Sequence, residues 1–201
     1  MRHLTAALIL LSPSIASAQC LTADALATGI TVEYESGLTS QISRTATGTI
    51  MDAYDDDNGY YQQTIFFETF AGVFETRKVF HEKGRWDIQR EVSMTYDSGV
   101  DDIGSFAPGD FGSATLSLAY SDYGDTDENF GWRAYESDPL VIGECSYETV
   151  RVFTSEFNIR RGDLFVREIK FLPALGFGIQ VANSAYAFPA NNAVIVGLTA
   201  N

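Results

Sequence analysis

The sequence predicts an all-β protein: a single curved antiparallel sheet or half-open barrel of mostly meander topology, with a short N-terminal helical turn. Three observations lead to this fold class. Short segments alternate apolar and polar residues, which is the period of a strand with one buried face. Turn-forming Gly, Asn and Asp recur between these segments at near-regular spacing. No long segment shows a convincing helical period.

The first half of the domain predicts short strands joined by tight turns. Ile30, Val32 and Tyr34 alternate with polar residues and give the first clear strand. Asn58-Gly59 favours a hairpin turn because both residues tolerate the positive φ that such a turn needs. The predicted elements are a helical turn over 22–27 capped by Thr22, strands over 30–34, 40–54, 60–69 and 73–81, and turns at 55–59 and 71–72.

The second half continues the strand pattern, and two loops interrupt it. Residues 98–112 are rich in Gly and Asp and contain Pro108, so we expect a long loop that serves as a lid or a disordered excursion. Residues 121–131 are expected to form a second, acidic loop. The predicted strands lie over 86–96, 114–120, 132–135, 140–157 and 193–198, with two more in 163–181 joined by a Pro-Ala-Leu-Gly turn at 173–176.

The N-terminus has the pattern of a bacterial export signal. A positive start at Arg2 precedes an apolar stretch and the small residues Ala16-Ser17-Ala18. We expect cleavage after Ala18, which makes residues 1–18 a signal peptide and residues 19–201 a single β-rich domain. This predicts a periplasmic or secreted bacterial protein. Lipidation at Cys20 is the alternative form of processing, although Gln19 is a poor residue before a lipidated cysteine.

The two cysteines, Cys20 and Cys145, are most simply explained as one disulfide bond. Extracellular compartments are oxidising, and an even number of cysteines in an exported chain favours pairing. The bond would tie the start of the mature chain to its middle.

Charge and motif content argue against several classes of function. The formal net charge of −14 should repel nucleic acid, and no transmembrane span is expected. After cleavage His81 is the single histidine, no G-x-S-x-G motif occurs, and no glycine-rich phosphate loop is present. His81 is expected to be a solvated residue at a hairpin end. We therefore expect a non-catalytic protein without a cofactor.

The acidic segment 125–136 is the best candidate for a metal site. Asp125, Asp127, Asn129 and Glu136 fall at positions one, three, five and twelve of a calcium-binding loop. The glycine of that motif is one place late, at Gly131. Weak calcium binding and a solvated acidic loop both remain open.

Three arginines share predicted strand faces with apolar residues: Arg44, Arg90 (with Trp86) and Arg167. A charge on a buried face is costly unless it is paired. The arginines could lie at strand ends, could pair with Asp or Glu, or could belong to a different register. The alternative with a function is a cavity in which Arg90, Arg167, Arg44 and Trp86 hold the anionic group of an otherwise apolar ligand.

Residues 167–181 read REIKFLPALGFGIQV, and this run resembles the closing motif of an uncharacterised group of bacterial envelope β-sheet proteins. In that group a strand, a Pro-x-Leu-Gly turn and a final strand close a curved antiparallel sheet. The architecture is more distantly similar to the periplasmic lipoprotein-carrier fold, a half-open barrel with an apolar concave face. The resemblance implies a fold and no assigned activity.

The function expected from these observations is an exported, non-catalytic envelope protein that binds an apolar or amphipathic ligand in its curved sheet. A structural or protein-interaction module of the cell envelope is the alternative, with another envelope protein as its partner. A hydrolase that uses carboxylates alone is a third hypothesis.

Overall fold

The computed structural model describes residues 20–57, 62–82, 89–100, 103–121, 124–185 and 191–201. A single 3₁₀ turn, Ala23–Ala27, precedes the first strand. Within the described ranges the strands are β1 Ile30–Tyr34, β2 Thr39–Arg44, β3 Ile50–Asp57, β4 Gln62–Phe70, β5 Phe74–Glu82, β6 Gln89–Tyr96, β7 Phe111–Tyr120, β8 Gly124–Glu136, β9 Leu140–Ile142, β10 Cys145–Tyr147, β11 Val150–Asn158, β12 Asp163–Leu172, β13 Phe177–Ala185, β14 Asn191–Asn192 and β15 Ile195–Ala200.

Thirteen of these strands form one antiparallel sheet that curves into a nearly closed barrel. Strands β1 to β8 are neighbours in chain order, and β11, β12 and β13 follow because β9 and β10 pair with each other as a separate hairpin. The two edges meet at the last segment of the chain, where β14 pairs with β13 and β15 pairs with β1. Between them, Ala193 N donates to Val181 O at 2.6 Å and Glu35 N donates to Val194 O at 2.8 Å. The predicted all-β meander is confirmed.

The two ends of the barrel differ, and we name them by their contents. At the packed end, where β2, β4, β6, β8 and β12 finish, aromatic side chains fill the interior. Phe74 contacts Phe106, Phe130 and Trp132, with ring centroids 5.7–5.9 Å apart. At the cavity end, where β1, β3, β5, β7, β11 and β13 finish, the interior holds polar side chains and two cavities.

The loop between β6 and β7 belongs to the packed end and is not a lid. Phe106 is 5% exposed, and its ring lies 5.0 Å from that of Phe171. Val100 is also buried in the same core cluster. The expectation of a lid over 98–112 is therefore wrong, because Val100 and Phe106 anchor this loop in the core.

The N-terminal segment and the β9–β10 hairpin cover a second core cluster. Cys20 and Cys145 are joined by a disulfide across a sequence separation of 125 residues, as predicted. Leu21 N donates to Tyr147 Oη at 2.9 Å beside it. Leu26, Leu175 and Phe177 are fully buried below these elements. Of the described residues, none belongs to a helix that is long and apolar enough to cross a membrane.

The turn between β4 and β5 crosses the barrel interior and contacts β13. Gly178 N donates to Ala71 O at 2.9 Å. A Cβ atom on Gly72 would lie 2.5 Å from Gly178 N, and Gly72 has a φ of +70°. The two glycines therefore let the two backbones approach each other, and this contact braces the barrel across its width.

Five local predictions are wrong. The expected strand over 40–54 is two strands, because residues 45–49 form a turn in which Gly48 has a φ of +88°. Most of the expected acidic loop over 121–131 belongs to β8, which pairs with both β7 and β11. Thr22 makes no side-chain cap; its carbonyl accepts from Ala25 N at 3.0 Å. Residues 55–57 of the predicted 55–59 turn belong to β3, and the expected strand over 140–157 is three strands, β9, β10 and β11. The rest of that turn and the signal peptide lie outside the described residues.

Candidate ligand-binding site at the cavity end

A β-bulge turns Glu75 into the barrel. The register of β4 and β5 shifts between Glu68 and Thr69, so that Thr69 pairs with Glu75 and Phe70 with Phe74. Phe74 and Glu75 are consecutive and yet both are buried, at 0% and 7% exposure. Regular alternation would point one of them outward. Bulges are a common means of redirecting a side chain next to a site.

Arg167 lies between Glu75 and Glu156 and forms an ion pair with each. One guanidinium nitrogen donates to Glu75 Oε1 and the other to Glu156 Oε1. The three side chains are 3%, 9% and 13% exposed, in the order Arg167, Glu75, Glu156. A second register shift, in the β12–β13 pair, lies directly after Glu168. We call Glu75, Glu156 and Arg167 the ionic cluster.

Burial and the two ion pairs act in opposite directions within the ionic cluster. Burial alone would lower the pKa of Arg167, but the carboxylates of Glu156 and Glu75 raise it above its ordinary value. Burial raises the pKa of Glu156, and Arg167 offsets part of that rise. Burial also raises the pKa of Tyr96, whose hydroxyl donates to Glu75 O at 3.0 Å. Arg167 therefore stays cationic and Tyr96 stays neutral.

The first cavity, of about 540 Å³, lies on one side of the ionic cluster. One wall is apolar and is formed by Phe80, Val92, Met94, Leu118 and Phe165. The other lining residues are mostly charged: Glu75, Glu91, Glu128, Glu156 and Asp163 with Lys78, Arg90 and Arg161. An apolar wall that faces converging charged groups is typical of a site for an amphipathic small molecule.

Lys78 separates the apolar wall from the ionic cluster. Its Nζ lies 4.7 Å from the ring centroid of Phe67 and 4.9 Å from that of Phe80. Such cation–π contacts stabilise a partly desolvated ammonium group. Lys78 also acts to lower the pKa of Glu156, which places its charge close to the ionic cluster.

The second cavity, of about 380 Å³, lies on the other side of the ionic cluster. Glu75 lines both cavities, while Arg167 lines only the second. Asp52 on β3 also faces the second cavity. Burial raises the pKa of Asp52 to about 6, the Ser40 hydroxyl lowers it, and Glu75 adds a smaller rise.

The three described residues of the predicted binding set are not brought together. Arg167 lies on the apolar inner face as predicted. Its guanidinium group is paired with two carboxylates, as one of the alternatives predicted, and is therefore not available to a ligand. Arg90 lines the first cavity and is exposed. Arg44 is exposed at the far end of β2, where its Nη1 donates to Gly48 O at 3.1 Å. Trp86 lies outside the described residues.

The calcium-loop positions lie along an extended strand. Asp125, Asp127 and Asn129 alternate with inward-facing residues on the outer face of β8 and are exposed, as is Glu136 at its end. A strand rises about 3.4 Å per residue, so these side chains are spread along its length. One Ca²⁺, which needs oxygens within about 2.6 Å, cannot reach all four. In the described ranges no group of three or more His, Cys, Asp or Glu could hold a metal ion.

Sequence reasoning missed Asp52, Glu75, Lys78 and Glu156. For Glu156 the signal was present, because the alternation of Val150, Val152 and Thr154 continues onto it. Asp52 likewise follows Ile50 on one face of β3. For Glu75 no signal was available, because its direction depends on the bulge. His81, at the end of β5, is exposed as expected.

Comparison with known proteins gives no match: no protein-family model fits the chain, no curated protein resembles it, and neither does any solved structure. The resemblance of residues 167–181 to envelope β-sheet proteins therefore stays a prediction.

Proposed function

We propose that this protein is an exported, non-catalytic binding protein that holds a small amphipathic molecule in the first cavity. The observation that carries the proposal is the composition of this cavity, in which an apolar wall from β5, β6, β7 and β12 faces a charged one. Its volume of about 540 Å³ is in the range of known small-molecule sites.

We place an anionic group of the ligand beside the two exposed arginines of the cavity, and its other lining charges are Lys78 and five carboxylates. Arg90 and Arg161 line the cavity where β6 begins and where the β11–β12 turn lies, and both are exposed. Deeper in the cavity, Glu75 and Glu156 are already paired with Arg167. A ligand would place its apolar part against Val92 and its anionic group near Arg90.

Export agrees with two features of the chain. The Cys20–Cys145 disulfide is stable in an oxidising compartment, and the sequence begins with a predicted signal peptide. We therefore place the protein in the periplasm or outside a bacterial cell.

Two fluorescent probes that share their apolar rings test the site. Anilinonaphthalene sulfonate is anionic, and N-phenylnaphthylamine lacks the sulfonate. We expect both probes to bind, and Val92→Phe to weaken both signals strongly because the added ring occupies part of the apolar wall against which their rings lie. Arg90→Met is expected to weaken binding of the sulfonate by about two- to fivefold, the size of one exposed ion pair, and to leave the other probe unchanged.

Matched control variants exist on the outer face of the barrel. Val79 lies on the outer face of β5, and Arg133 is exposed on β8. Val79→Phe and Arg133→Met should bind both probes as the wild type does. Equal binding by Val92→Phe and Val79→Phe, with circular dichroism showing both folded, would place the ligand elsewhere.

An exposed aromatic patch on the outer face supports the interaction-module alternative. Phe111 is 76% exposed. Next to it, Arg133 and Arg151 lie over the ring of Tyr135, with guanidinium carbons 5.3 and 5.8 Å from its centroid. Exposed aromatic and arginine side chains are typical of protein interfaces. A photo-crosslinking residue at position 111 should then capture an envelope protein in the cell, whereas one at Ser117 should not.

A further inference from the structure

Asp52 is a carboxyl group set deep in the barrel wall that faces the second cavity. It pairs with Ile42 on β2 and with Phe67 on β4, and both of these are buried inner-face residues. Protein surrounds it on almost every side. It still keeps some accessible surface, because the cavity reaches it.

No cation of the described residues pairs with Asp52. Its hydrogen-bond partner is the neutral hydroxyl of Ser40, which donates to Oδ1. Arg167 lines the same cavity, but Glu75 and Glu156 already neutralise it. Glu75 acts against the ionised form of Asp52. Three carboxyl groups therefore share one guanidinium, and an unpaired buried carboxylate is costly.

The remaining walls of the second cavity suit an organic group. Ile50, Phe67, Val73 and Ile169 are apolar and largely buried. Tyr34 adds a second aromatic ring, and Gln180 and Asn183 supply amide oxygens that accept hydrogen bonds. Aromatic rings and hydrogen-bond acceptors around a carboxylate are the features with which proteins recognise ammonium groups.

We propose that the second cavity binds a small organic cation, a primary ammonium on a short apolar or aromatic group, with Asp52 as its counter-ion. The ammonium donates to Asp52 Oδ2, while the apolar part lies against Phe67 and Ile169. Its volume of about 380 Å³ limits the ligand to the smaller end of the range for small-molecule sites. This site is separate from the first cavity and does not depend on the function proposed for it.

Binding should depend on the protonation of Asp52. The titratable groups that line the second cavity are Asp52 from β3, Glu75 from β5, Arg167 from β12 and Tyr34 from β1. Arg167 stays cationic, and Asp52 has a pKa of about 6. Affinity for an ammonium should therefore fall as the pH is lowered from about 7 to about 5, because the carboxylate takes up a proton.

Three probes of one shape test the proposal by isothermal titration calorimetry on the disulfide-bonded mature chain near neutral pH. Benzylamine is cationic, benzyl alcohol is neutral and benzoate is anionic. We expect benzylamine to bind with a stoichiometry of one, at least about tenfold more tightly than benzyl alcohol, and benzoate not to bind. Comparable binding of benzylamine and benzyl alcohol, or no benzylamine binding up to about 10 mM, would overturn the proposal and leave a water-filled cavity.

Variants locate the site. Asp52→Asn keeps the shape and the acceptor for Ser40, and should weaken benzylamine at least about tenfold without changing benzyl alcohol. Asp24→Asn, at an exposed position of the 3₁₀ turn, is the matched control and should bind as the wild type does. Val92→Phe, which narrows the first cavity, should also keep benzylamine binding. If Asp52→Asn binds benzylamine as tightly as the wild type does, Asp52 is not the counter-ion. If that variant does not fold, the comparison of the three probes on the wild type tests the proposal.

Discussion

Arg167→Met is expected to destabilise the protein by about 3–5 kcal/mol, the cost of leaving buried charges without their partner. Arg167 is 2% exposed and holds Glu75 from β5 and Glu156 from β11. Without the guanidinium, two carboxylates would face each other inside the barrel. The expected result is a large fall in the midpoint of urea unfolding at neutral pH, measured by circular dichroism.

Two tests distinguish the loss of ion pairs from a simple loss of packing: lowering the pH, and adding substitutions that remove the unpaired carboxylates. Burial already raises the pKa of Glu156, and removing Arg167 should raise it further. A carboxyl group whose folded pKa exceeds its unfolded pKa contributes most stability below the unfolded value and loses that contribution as the pH rises. The variant should therefore recover stability relative to the wild type as the pH falls towards about 4. Glu75→Gln and Glu156→Gln added to Arg167→Met should restore most of the loss at neutral pH, and no recovery in either test would refute the ionic explanation.

Removal of the disulfide by Cys145→Ser is expected to cost about 5 kcal/mol in the chain-entropy model. The bond spans 125 residues of sequence, so its loss raises the conformational entropy of the unfolded chain. It also releases the N-terminal segment that covers Leu26 and Leu175. Denaturant unfolding of the variant and of the wild type measures the difference.

The double variant Cys20→Ser/Cys145→Ser is the control for the disulfide prediction. If the bond itself is responsible, the double variant, the single variant and the reduced wild type should lose similar stability. Equal stability of oxidised and reduced wild type would show that packing at the packed end, and not the cross-link, holds the N-terminal segment in place.

Local patterns predicted much of the sheet. The alternation in 163–181 and its Pro-Ala-Leu-Gly turn correspond to β12, a turn at Leu172–Gly176 and β13. The pairing of Cys20 with Cys145 followed from their number and the predicted compartment. The strands depend on a few neighbouring residues, and the disulfide depends on the number of cysteines, so the sequence contains enough information to predict both.

The ionic cluster depends on contacts between distant strands, and the sequence alone could not predict it. Arg167 and Glu75 are 92 residues apart. The inward direction of Glu75 follows from a one-residue shift in the register of β4 and β5. Strand periodicity identified Arg167 as a charge on an apolar face, and only the three-dimensional arrangement shows which carboxylates neutralise it.

The acidic segment in β8 was predicted wrongly because its composition resembles that of a loop. Asp and Asn are common in turns, so residues 121–131 resembled a loop. In the structure Asp125, Asp127 and Asn129 face outward on β8, and Phe130 and Ala134 of the same strand are buried. Phe106 was missed for a similar reason: the Gly and Pro residues around it predict a loop, and a loop is not expected to contribute a core side chain.

The most direct test of a ligand in the first cavity is native mass spectrometry of the mature chain, purified from a bacterial periplasm without detergent. We predict a bound small molecule that is present in the native spectrum, absent after denaturation, retained by Val79→Phe and lost from Val92→Phe. A bare disulfide-bonded chain in the wild type, or the same adduct on both variants, would contradict the account.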